Sequence, residues 1–101
     1  VLAQFSVAPF DKGESLSKYV AEIIDLIDNS GLEYRLGPMS TTVEGDVDEV
    51  FELIKACHQR MRLFSRRVIT HIAIDDREGA TDRLTGKPLS IEEKLGRKIK
   101  I

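Results

Sequence analysis

Four side chains near the start and middle of the chain could do chemistry together: Gln4, Ser6, Thr42 and Glu44. Each pair is spaced by two, so on extended segments Gln4 and Ser6 share one face and Thr42 and Glu44 share another. An amide, two hydroxyls and a carboxylate offer both donors and acceptors, which suits a small polar heterocycle carrying amine and ring-nitrogen groups. The plainer account is the solvent face of an antiparallel sheet, where alternating polar residues are ordinary. His71 falls on the same parity in a later segment, but it has no nucleophile or metal-ligand partner that would make it catalytic.

Other candidate groups carry less. Cys57 lies in an apolar stripe and packs as a small hydrophobe, and as the one cysteine it can form neither an internal disulfide nor a thiolate cage. His58 has no partner at metal-ligand spacing. Asp75, Asp76, Glu78 and Asp82 cluster without the alternating ligands and central glycine of a calcium loop. Arg60, Arg62, Arg66 and Arg67 form a local basic patch; Arg60, Arg66 and Arg67 are the candidates for holding an anion, although helix C-termini attract basic residues anyway. Neither a Gly-rich phosphate loop nor a nucleophile elbow nor a zinc pattern occurs. No metal or catalytic residue is expected.

Elements must position these groups. Val1, Ala3, Phe5 and Val7 alternate with Leu2, Gln4 and Ser6, a half-buried strand ended by Pro9. Asp11, Lys12 and Gly13 make a turn, Ser15 can cap a helix over Leu16 to Ser30, and Gly31 stands at its left-handed C′ position. Leu16, Tyr19, Val20, Ile23, Ile24 and Ile27 form its apolar face. Tyr34 and Leu36, then Thr41 and Val43, mark two short strands joined around Pro38-Met39. Asp46 and Glu49 offer a capping box for a second helix with a buried stripe of Val47, Val50, Phe51, Ile54, Cys57 and Met61. Val68 to Ile74 is the strongest strand signal and reads as central or well covered. Asp75 to Leu89, polar with two glycines and a proline, reads as one long loop. Ser90 and Glu93 then offer a capping box for a short final helix bearing Ile91, Leu95 and Ile99, which must dock on something.

The order is βαββαβ plus a tail helix. With right-handed connections this predicts an α+β ferredoxin-like sandwich, its antiparallel sheet ordered 4-1-3-2 with both main helices on one face. The other face then carries Leu2, Gln4, Ser6, Thr42, Glu44, Ile69, His71 and Ala73. Leu2 and Ile69 are poorly served by water, so a sheet-to-sheet contact between subunits with a polar pocket in it is the economical expectation.

Composition bounds the remainder. At 101 residues, 42% hydrophobic and 32% charged, residues 1–101 are read as one folded domain. A domain of this length buries only about two thirds of the surface its unfolded chain exposes, so self-association adds useful burial. Fifteen basic against seventeen acidic residues give a net charge of −2, which favours neither nucleic acid nor an anionic membrane. An RNA-reading sheet is excluded by Gln4, Ser6, Thr42 and Glu44 standing where exposed aromatics are needed. An acyl-phosphate phosphatase would want an arginine after strand one, where only Lys12 occurs. The segment Val1 to Phe10 is broken by Gln4 and Ser6 and lacks a basic flank, so it reads as neither signal peptide nor membrane span. A cytoplasmic location is the expectation.

The segments Gln4 to Pro9, Ser15 to Val20, Gly31 to Gly45 and Arg67 to Thr70 resemble the thiamine-binding-protein-like family over almost the whole chain, with LGPMSTTVEGD the most specific stretch. The resemblance implies a ferredoxin-like fold, homodimers assembled into tetramers, and binding of thiamine or its hydroxymethylpyrimidine moiety without catalysis. Carried onto this chain, the matching ligand positions are Ser6, Gly37, Met39, Thr41, Thr42 and Glu44. A carboxylate at Glu44 could pair with an aminopyrimidine edge or neutralise a thiazolium, and Met39 could lie against a ring. Family members often have glycine where Ser40 stands, and Ser40 narrows the pocket. The expectation is therefore a non-enzymatic, homo-oligomeric binder of a thiamine-like molecule at or beside a subunit interface. A structural or regulatory module without such a ligand is the alternative, and an enzyme acting on a small phosphorylated substrate through the arginines is third.

Overall fold

The computed structural model describes residues 1–13 and 16–100, so the expected cap at Ser15 lies outside the described residues. The elements are β1 (Leu2–Pro9), α1 (Ser17–Asn29), β2 (Glu33–Leu36), β3 (Thr41–Glu44), α2 (Val47–Arg62), β4 (Val68–Asp75) and α3 (Arg83–Leu95). The four strands form one antiparallel sheet in the order β2-β3-β1-β4, the 4-1-3-2 arrangement expected from the element order.

Alternation in β1 decides the two faces. Ala3, Phe5 and Val7 turn to one side with Val43 of β3, where they pack against Ile23 and Ile27 of α1 and Val50, Leu53, Ile54, Cys57 and Met61 of α2. Ile27, Val43, Val50, Cys57 and Met61 are fully buried there. α1 ends as its sequence suggests: the Ser30 amide and hydroxyl both donate to the Ile27 carbonyl, and Gly31 follows at φ +80°.

Four local expectations are corrected. α2 buries Leu53, while Val47 and Phe51 are 44% and 47% exposed, because its inward line runs through 50, 53, 54, 57 and 61 and leaves those two on its flank. Asp46 is the N-cap by position, with extended backbone, but its side chain makes no capping bond; Asp48 and Glu49 complement the helix dipole instead. β4 is neither central nor well covered: it stands at the edge that the order 4-1-3-2 already gave it and is exposed from His71 to Asp75. Finally, the long loop is short: α3 starts at Arg83 and runs through Pro88, so Ser90 sits inside a helix.

α3 packs against β3 and β2. It is held by Leu84, its one buried residue, whereas Ile91 and Leu95, expected to dock, are about half exposed. The helix closes on Gly96 at φ +70°, whose amide and that of Arg97 both donate to the Glu92 carbonyl. No helix among the described residues is long and apolar enough to cross a membrane.

Candidate functional site

Register fixes which polar groups meet on the open face. Gln4 lies opposite Thr42 and, on its other side, Ala73; Ser6 lies opposite His71; Leu2 lies opposite Glu44 and Asp75. Side chains directly across an antiparallel pair share a face, so Gln4, Ser6, Thr42, Glu44 and His71 all project from the side away from α1 and α2. Arg35, opposite Thr42, joins them, as does Glu33 opposite Glu44. Sequence reasoning left out Arg35, although the alternation of Tyr34 and Leu36 already assigned it to that side.

The β2–β3 hairpin adds the second part of the site. β1 pairs with β3 only as far as Phe5 opposite Thr41, yet β1 continues to Pro9, so the turn Gly37-Pro38-Met39-Ser40 stands away from Ser6 to Pro9. The turn is closed by the Gly37 amide donating to the Ser40 carbonyl at 2.9 Å, and a Cβ on Gly37 would lie 2.8 Å from that same oxygen. On the helix side of the gap lies a cleft of about 210 Å³, walled by Ala8, Val20, Ile24, Leu36, Met39 and Thr41. On the open side lies a shallower hollow bordered by Gln4, Ser6, Met39, Ser40, His71 and Ala73. Ser6, Met39 and Ser40 border both.

The Gln4 side-chain amide donates to the Ser40 hydroxyl at 2.7 Å, tying the turn to the sheet. Met39 is 89% exposed, an apolar side chain held at the rim and left uncovered by the described residues. Among the described residues, neither concavity is lined by a charged side chain. The donors and acceptors available are the amide of Gln4, the hydroxyls of Ser6 and Ser40 and the imidazole of His71. Thr41 is buried and faces the helices, so it belongs to the cleft and not to the hollow.

Glu44 is elsewhere. One of its carboxylate oxygens accepts the Arg83 amide at 2.8 Å and the other accepts the Leu84 amide at 3.0 Å. It thereby caps α3 from a strand 39 residues upstream, replacing Asp82, which occupies the N-cap position at φ 54° without a side-chain bond. Beside it, Asp75 pairs with Arg83 at 2.8 Å and Lys87 at 3.1 Å; these bonds hold the Asp75 carboxyl down at about 2.

Three arginine side chains of the basic cluster have internal partners, and Arg66 is engaged through its backbone alone. Arg60 faces Glu22 at 3.7 Å, Arg67 lies over the Phe10 ring, and Arg62 donates to the Ser65 carbonyl. The Arg66 amide donates to Asp11. Asp11 also accepts the Ser65 hydroxyl, and that bond, then the Arg66 amide, lower its pKa. On α2, burial pushes the Cys57 thiol up to about 11, and His58 bonds Thr70 at 2.6 Å. Among the described residues, no group of three or more His, Cys, Asp or Glu side chains could hold a metal ion.

A family model described as thiamine-binding protein matches residues 3–92. The chain belongs to the thiamine-binding protein family. Among its relatives, the UPF0045 protein MJ1052 of Methanocaldococcus jannaschii is 32% identical, the match covering 92% of this chain and 93% of that protein. A UPF0045 protein of Methanothermobacter thermautotrophicus is 35% identical, over 94% and 99% of the two chains. The crystal structure of MJ1052 superposes with a TM-score of 0.84, covering 91% of this chain and 95% of that one. A Thermotoga maritima protein with a provisional assignment to thiamine biosynthesis or salvage superposes with a TM-score of 0.73 at 26% identity, covering 94% of each chain.

Proposed function

We propose that this protein binds a thiamine relative without catalysis, and that the part it takes is the pyrimidine. The observation that carries the reading is the pair of concavities meeting at Met39. The apolar cleft accepts a flat ring, Ser6 and Ser40 stand at its border, and Gln4 and His71 in the adjoining hollow complete the groups that bond ring nitrogens and an exocyclic amine. The family membership supports the choice of ligand. Among the described lining residues there is no carboxylate to offset a thiazolium, since Glu44 is engaged with α3. Neutral hydroxymethylpyrimidine therefore binds more tightly than thiamine.

The resting surface supports an oligomer. α3, held by Glu44 and Asp75, lies over the Leu2 end of this face, while Ile69 and Ala73 lie among the polar groups of the part it leaves open, and packing two such sheets together would shelter them and enclose the hollow at a subunit interface. A homotetramer in the cytoplasm, with no cofactor and no nucleic-acid or membrane partner, completes the reading. The role of a structural module with no such ligand is favoured by one observation, that Glu44 serves α3.

Isothermal titration with hydroxymethylpyrimidine, thiamine and thiamine phosphates separates these. The proposal expects heat with the first, weaker heat with the second, and at least a tenfold loss of affinity in Gln4→Ala with its melting temperature retained. Absence of heat with all of them assigns the module reading. A preference for the phosphates that Arg66→Ala removes would favour an enzyme of phosphorylated substrates.

A further inference from the structure

The turn between β2 and β3 leaves part of the β1 edge without a strand partner, for a reason written in the turn itself. Two-residue hairpin loops that follow the twist of their strands need positive φ at their first central residue. Here that residue is Pro38, whose ring holds φ at about −65°, so the turn splays from the sheet and stands off from Ser6 to Pro9.

Hydrogen-bond parity identifies what the gap leaves open. Val1 and Gly45 exchange bonds, so the odd residues of β1 address β3 and the even ones address β4; the Phe10 amide donating to the Arg67 carbonyl agrees. Pairing with β3 ends at Phe5 opposite Thr41, and the next odd residue is Val7. Its amide and carbonyl both point into the gap, and neither has a hydrogen-bond partner among the described residues. Val7 is only 9% exposed, and it walls the cleft together with Val20 and Ile24 of α1, Met39 and Ser40. Buried main-chain groups left unpaired are rare in native folds, because each forfeits its bonds to water. Pro9, the odd residue beyond, has no amide to lose there.

The N–H and C=O of one extended residue lie side by side and address the same direction. Their complement is a planar group with an acceptor nitrogen next to an N–H donor, which is the amidine edge of an aminopyrimidine. We infer that the main chain of Val7 reads that edge. The Val7 amide donates to the ring nitrogen, the Val7 carbonyl accepts one hydrogen of the exocyclic amine, and the ring takes the place in the sheet where β3 stops. One face of the ring then lies against Val20 and Ile24, and Ser6 and Ser40 are left for its substituents. The oxo counterpart presents donor and acceptor in reverse order and matches only when turned over, with its methyl and hydroxymethyl groups exchanged. The identity of the ligand rests on the functional reading above; the donor–acceptor pair at Val7 does not.

Amide hydrogen exchange on the intact protein tests this. In the free protein the Val7 amide should exchange faster than those of Ala3 and Phe5, which β3 covers, and saturating hydroxymethylpyrimidine should slow it about tenfold while leaving those two unchanged. Replacing Val7 by its α-hydroxy acid turns that N–H into an ester oxygen. Affinity should then fall about tenfold with the melting temperature retained, since the group has no partner among the described residues. The oxo counterpart should bind the wild type about tenfold more weakly than the amine. An ester variant or an oxo ligand that binds as tightly as its reference overturns the inference. If the ester variant fails to fold, exchange at Val7 still decides. Protection of Val7 by a bare aminopyrimidine but not by hydroxymethylpyrimidine upholds the main-chain reader and defeats the thiamine reading. Saturable binding of hydroxymethylpyrimidine with Val7 unprotected does the reverse, and no binding by any of these ligands overturns both.

Discussion

Removing the carboxylate of Glu44 should release α3 from the sheet. Each of its oxygens holds one of the first amides of the helix, Arg83 at 2.8 Å and Leu84 at 3.0 Å, and Asp82 supplies no substitute. Losing a side-chain cap costs about 0.5–2 kcal/mol, and hydrogen bonds to charged groups contribute about 1.5–3 kcal/mol each where water is excluded. Glu44 is only half-buried and the freed amides can turn to water, so about 1–2 kcal/mol is expected for Glu44→Ala and roughly half of that for Glu44→Gln, which keeps one acceptor oxygen. Because Leu84 is the one buried residue of α3, the loss should appear as local opening of that helix and not as global unfolding. Amide hydrogen exchange reads it directly: in Glu44→Ala, residues 83–95 should exchange about tenfold faster while α1 and α2 keep their protection. Unchanged exchange in α3, or a uniform increase over the whole chain, refutes the capping argument.

Further outcomes follow from the same contacts. The Asp75 carboxyl is held at about 2 by Arg83 and Lys87, below its ordinary 3.8, so its ion pairs stabilise the fold at pH values above that ordinary figure and are lost as pH falls through about 2. A carboxyl-detected NMR titration should place its midpoint there, and a midpoint near 4 would mean that the pairs do not form. Cys57, buried with its thiol raised to about 11, should resist alkylation at pH 8 in the native protein and react only on unfolding; rapid native labelling would contradict its burial. Ile27→Ala, at a fully buried position between helix and sheet, should lower unfolding free energy by about 2–5 kcal/mol in a denaturant titration. A loss below about 1 kcal/mol would show that the site collapses around the cavity.

Legibility in the sequence followed the range of the interactions. Sheet order and the two faces were readable because a period of two and right-handed connections leave few arrangements; Gln4, Ser6, Thr42 and Glu44 indeed project from one side. The α1 terminus was readable because Ser30 and Gly31 close it locally. The start of α3 was not, since Gly86 and Pro88 argue locally for a loop and the cap that overrides them comes from Glu44 in β3. The same fact removes Glu44 from the hollow that its parity assigned to it. The exposure of β4 was missed although the order 4-1-3-2 already placed it at an edge, because an apolar strand reads alike in the middle of a sheet and at its edge. Met39 and Ser40 came from the family resemblance, while the gap that makes them walls of a site depends on β1 outrunning β3 by four residues, Ser6 to Pro9.

Whether a pyrimidine enters beside Met39 is tested most directly by amide and side-chain NMR shifts during titration with hydroxymethylpyrimidine. The account predicts saturable shifts confined to Gln4, including its side-chain amide, Ser6, Val7, Met39, Ser40 and His71. Saturable shifts gathered instead along the α2–β4 groove at Phe51 and Ile72, or no shifts at all, contradict it.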